Sequence, residues 1–130
     1  VRSRNRGALG ILILFRVVAT THALMLCLQP LFAGMFLNGQ YGLLNAHGGT
    51  GGAIIAVAAV QVMAAVLLWW PARVAAWPVL LSVGVLVGSV TQVAVGYSRE
   101  LSVHVPLGVA LVATGVVVAV WSWRTQVVAS

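Results

Sequence analysis

Charge is the scarcest property of this chain. Of its 130 residues, 6% are charged and 62% are hydrophobic, and Glu100 is the sole acidic side chain. Neither aspartate nor lysine occurs anywhere. A water-soluble domain has about a quarter of its residues charged, so this chain needs lipid as its solvent. The same scarcity excludes chemistry. One carboxylate makes no acid–base pair for hydrolysis, and a Ser-His-Asp triad has no aspartate to orient its histidine. Cys27, the lone cysteine, forms no intrachain disulfide and reads as a small packing residue.

What charge there is comes from seven arginines: Arg2, Arg4, Arg6, Arg16, Arg73, Arg99 and Arg124. They form no groove or face suited to nucleic acid, which is not an expected partner. Instead they mark the ends of apolar runs. A secretory signal has an apolar core of about 7–15 residues. The run from Ala8 to Leu37 is longer, so it reads as a transmembrane helix.

Four segments reach the roughly 20 apolar residues that a membrane crossing needs. The expected helices cover about 8–37, 50–70, 75–96 and 103–123, within a single membrane domain spanning 1–130. In the first, Val17–Leu37 crosses, Arg16 marks the headgroup level, and Ala8–Phe15 lies in or near the interface. Pro30 is expected to kink it. The links Asn38–Gly49, Pro71–Arg73 and Tyr97–Ser102 are short, which predicts an all-α, up-down-up-down four-helix bundle. Arg2, Arg4, Arg6, Arg73 and Arg124 then share one side, the cytoplasmic one by the positive-inside rule. Trp69, Trp70, Trp77, Trp121 and Trp123 gather there, while Tyr41 and Tyr97 lie opposite. Both termini are therefore expected in the cytoplasm, with the chain in the cytoplasmic membrane. Gly84 and Gly88 suit close helix packing.

Against this apolar background two histidines stand out. His47-Gly-Gly-Thr-Gly51 and His104-Val-Pro-Leu-Gly108 share a His-x-x-x-Gly spacing, and Gly39 and Gly96 each precede their histidine by eight residues. Both histidines open a span at the non-cytoplasmic side, on helices expected to face each other across the bundle. Two facing imidazoles supply both axial bonds to a haem iron. Gly51 and Gly108, one turn on, would clear surface for a flat macrocycle. Arg99 would pair with a propionate, and Gly48–Gly52 would offer backbone N–H groups to an anion. Pro106 suits a first helical turn, which would leave His104 just ahead of regular helix.

His22, inside the first span, is a secondary candidate. It is expected to bond a backbone carbonyl, Thr20 or Thr21, to meet a quinone-like ligand, or to pair with Met63 at a second metal site. Gln29, Gln61 and Gln92 are expected to bond between helices.

On His47, His104 and the four spans, the chain resembles the haem-binding bundles of membrane cytochromes b, the cytochrome b561 group, and one half of haem A synthase. The resemblance is one of architecture and spacing over nearly the whole chain. It implies a non-covalent haem b on His47 and His104, and single-electron transfer with a quinone or redox partner. Cytochromes b usually hold two haems on four histidines, and the second pair is missing here. The chain's size fits a subunit of a larger respiratory-type assembly, with other membrane subunits as partners. Two further functions fit the composition: a non-catalytic accessory subunit, and a small carrier with His22 in a polar path.

Overall fold

The computed structural model describes the backbone of residues 2–126 and the side chains from Arg6 to Gln126. The side chains of Arg2 and Arg4, two of the expected topology signals, lie outside the described residues. The described chain is all-helical: α1 (Arg2–Leu37), α2 (Leu43–Gly49), α3 (Gly51–Trp69), α4 (Trp77–Tyr97) and α5 (Leu101–Arg124). Four helical stretches are long and apolar enough to cross a membrane, α2 and α3 together making one of them. A helix pairs its backbone N–H and C=O groups within its own segment, which is the condition that hydrocarbon imposes on a spanning chain. Helix α1 packs against α3 and α5, and α4 packs against the same two. Thus α3 and α5, the second and fourth spans, lie on one diagonal, as expected.

The segment Ala8–Phe15 belongs to α1, in line with the helix expected over 8–37, and its Leu12 and Phe15 are buried in a core with Leu68 and Val118. Two local expectations need correction. Residues 43–49, expected as a link, form α2, whose C-terminal end is tied by the Thr50 hydroxyl to the Ala46 carbonyl at 2.7 Å. Pro106 lies inside α5, so His104 sits within regular helix rather than ahead of it. Helix α1 runs unbroken through Pro30.

The core has two apolar layers. One joins Leu12, Phe15, Ala19, Ala64, Leu68 and Val118; the other joins Leu26, Ile54, Val85 and Leu111. Gly88 helps close the second, since a Cβ there would meet Leu111 at 2.7 Å, whereas Gly84 has open space beside it. Only Gly88 of that pair packs between helices. Cys27 is exposed, so it is not a core packing residue.

One end of the bundle is tied by Arg16. Its Nε donates to the Ser122 carbonyl at 2.9 Å and its Nη2 to the Thr125 carbonyl at 2.7 Å. The guanidinium also stacks 5.2 Å from the Trp123 ring centroid. The cation thus meets the otherwise unpaired carbonyls at the negative end of α5. Trp77 and Trp121 pack edge to face beside it, with centroids 4.7 Å apart.

Candidate functional site: a histidine pair

The fold brings His47 and His104 together. Their ring centroids lie 5.9 Å apart and their planes are inclined at 69°. Both are half-buried. His47 is carried by the short α2 and His104 by the first turns of α5. Fifty-seven residues separate them in sequence, so only tertiary structure makes them neighbours.

Each ring is held in the same way. Nδ1 of His47 lies 3.1 Å from the Gln29 carbonyl oxygen, and Nδ1 of His104 lies 3.0 Å from that of Gln92. A carbonyl only accepts, so Nδ1 is the donor in both rings, and in the neutral imidazole the lone pair then sits on Nε2. No hydrogen bond engages either Nε2 among the described residues. Metal-bound histidines are oriented in this manner, donating the second ring N–H to a fixed acceptor.

The same two glutamines clasp the histidine segments through their side chains. Gln92 Nε2 donates to the His104 carbonyl at 2.9 Å. Gln29 Nε2 donates to Thr50 Oγ1 at 2.7 Å, and Thr50 Oγ1 donates to the Ala46 carbonyl at 2.7 Å, one residue from His47. With Gln61, whose Nε2 donates to Ser82 Oγ of α4, all three glutamines bond between helical segments, as their sequence positions suggested.

The glycines divide the work unequally. A Cβ on Gly96 would lie 2.9 Å from Cε1 and 3.1 Å from Nδ1 of His104, so glycine there lets the ring reach the Gln92 carbonyl. Gly39, its sequence counterpart, instead takes φ +92 in the turn after α1, with open space around it. At Gly51 a Cβ would meet Val93 at 3.0 Å, and at Gly108 it would meet the Gln92 amide at 2.9 Å. Both glycines thus admit side chains of α4. The Gly48–Gly52 run is helical on both sides of Thr50, whose N–H is committed to the Ala46 carbonyl rather than displayed to an anion.

The two imidazoles form an edge-to-face pair with centroids 5.9 Å apart. Two imidazoles sharing one metal, each bonded at roughly 2 Å, would have centroids about 6 Å apart, so the spacing admits a shared metal. Among the described residues no three His, Cys, Asp or Glu side chains converge on a metal position. A structural zinc wants four protein ligands and a catalytic zinc three, whereas porphyrin iron asks the protein for at most two. Arg99 is exposed in the α4–α5 connection, with φ 60.

His22 belongs elsewhere. It is fully buried, its Nδ1 lies 2.8 Å from Gln61 Oε1, and Gln61 Nε2 donates to Ser82 Oγ at 3.1 Å. The partner is therefore a side chain of α3, not a backbone carbonyl, Thr20 or Thr21. Met63, the other ligand in a second metal site, is 58% exposed and turned away from the core. That site does not form. Comparison with protein-family profiles, curated proteins and solved structures finds no match for the chain.

Proposed function

We propose that the protein is a membrane b-type cytochrome holding one non-covalent haem b between Nε2 of His47 and Nε2 of His104. The observation that carries this is the matched pair of imidazoles, 5.9 Å apart, each with Nδ1 committed to a backbone carbonyl. When bound, haem b supplies one-electron redox chemistry. The chain's part is to present two imidazoles and to fix their planes through the main-chain carbonyls of Gln29 and Gln92. Gly51 and Gly108 serve the site indirectly, by admitting Val93 and the Gln92 amide of α4 beside the histidine segments, and Arg99 would meet a propionate at the wet boundary.

The helices run up-down-up-down across the cytoplasmic membrane, with both termini in the cytoplasm and the histidine pair near the outer face. Five tryptophans at the Arg16 end and two tyrosines at the other support that orientation. Electrons pass to or from a quinone or a redox partner, with the chain serving as one subunit of a larger assembly. The test is substitution. His47→Ala or His104→Ala is expected to abolish a low-spin b-type absorption spectrum, and His22→Ala to leave it largely intact. Wild-type protein that folds yet stays colourless with ample haem overturns the proposal in favour of an accessory subunit.

A further inference from the structure

A second site lies at the opposite end of the bundle, between α3 and α4. The connection there opens a cleft of about 480 Å³ lined by Trp69, Trp70, Arg73, Val74, Ala75 and Ala76. Trp69 and Trp70 are 50% and 67% exposed, so both indoles face outward beside the cleft. Arg73 is exposed and makes no side-chain hydrogen bond among the described residues. The contrast with Arg16, which is fully engaged by the Ser122 and Thr125 carbonyls, is direct. Among the described residues no carboxylate side chain lies nearby, because Glu100 sits at the other end, next to α5's first residue. The cleft therefore combines a spare guanidinium with two exposed indoles.

The backbone adds a cost that the side chain must justify. Arg73 adopts φ 58, the left-handed region where glycine is the residue free of strain. Glycine would close the turn after α3 better. A non-glycine residue held in that region points to a use for its side chain.

We propose that this cleft binds the headgroup of an anionic phospholipid, with Arg73 on the phosphate and Trp69 and Trp70 against the glycerol and upper acyl region. This rests on the membrane placement proposed above and not on the histidine pair. Guanidinium matches phosphate geometry with paired donors, and indoles favour the headgroup level. The ligand's net negative charge follows from its surroundings. Arg16, Arg73 and Arg124 give this end a positive field with no acidic residue to oppose it.

Native mass spectrometry and thermal unfolding of the purified full chain in detergent test the assignment, with phosphatidylglycerol, phosphatidylcholine and inorganic phosphate as probes. Wild-type protein is expected to retain one phosphatidylglycerol and to melt higher as it is added, with phosphatidylcholine at least tenfold weaker. Arg73→Gly is the informative variant, because glycine suits the turn. It should fold with equal or greater thermal stability while losing tenfold or more in phosphatidylglycerol affinity. Trp70→Ala should weaken the same binding. Equal retention of both lipids, or Arg73→Gly binding phosphatidylglycerol like wild type, overturns the site. Millimolar inorganic phosphate giving the full stabilisation by itself also overturns it, since a lipid would then not be required.

Discussion

The carbonyl oxygen of Gln92 lies 3.0 Å from Nδ1 of His104, and the missing side chain at Gly96 is what leaves room for that approach. Any Cβ at position 96 would press on the ring at 2.9 Å. Gly96→Val is therefore expected to push His104 off its acceptor, at the roughly 1–3 kcal/mol typical of overpacking. The absorption spectrum of haem-loaded protein should move from low-spin towards high-spin. An unchanged spectrum would mean that the ring has slack the structure does not show.

Gln92 has a second effect that its removal would expose. Its Nε2 bonds the His104 carbonyl, but its Oε1 is buried without a partner among the described residues. Gln92→Leu takes away a bond worth about 1 kcal/mol together with an acceptor that is costly to bury. Stability should change by less than about 1 kcal/mol, while the first turn of α5 loses its tie to α4 and the His104 ring keeps only its bond to the Gln92 main-chain carbonyl. With the two rings inclined at 69°, wild-type protein should give a strongly anisotropic low-spin electron paramagnetic resonance signal. Gln92→Leu should broaden or shift that signal, and an identical signal would count against a positioning role.

The His22–Gln61–Ser82 chain is expected to stabilise the bundle without touching the haem. Gln61→Leu strands the His22 Nδ1–H, and an unsatisfied buried donor costs about 1–3 kcal/mol. Unfolding in mixed micelles should show a loss of that size, with the haem spectrum unaltered. A spectrum lost along with the stability would tie the two sites together and contradict their separation.

Arg16 is expected to matter more than a headgroup contact would. Arg16→Leu removes two hydrogen bonds to carbonyls of the α5 terminus and the stacking on Trp123. A loss of about 2 kcal/mol is expected from the charged hydrogen bonds, and Arg16→Lys should recover part of it. Equal stability of Arg16→Leu and wild type in the same unfolding assay would make the contact incidental.

The four spans and the diagonal neighbours were legible because apolar length and short links leave few alternatives. The histidine pair was legible too, since it stands almost alone among ionisable groups. What anchors each ring was not. The acceptors are backbone carbonyls of Gln29 and Gln92, 18 and 12 residues from their histidines, and a carbonyl has no residue-type signature. Gly96 shows the same limit. Its match with Gly39 suggested a repeated role, yet one glycine accommodates a ring and the other a left-handed turn. Helix α2 was missed because glycine-rich sequence reads as a link in water, where helix breaks are inexpensive. Gln61 as the partner of His22 sits on a different helix and has no sequence spacing to announce it.

Haem-to-protein stoichiometry, read with a reduced-minus-oxidised spectrum on protein expressed in haem-replete cells, bears most directly on the histidine pair. One low-spin haem b per chain, lost when either His47 or His104 becomes alanine, is the expected result. A folded protein that carries no haem, or one whose haem persists unaltered in both alanine variants, would contradict it.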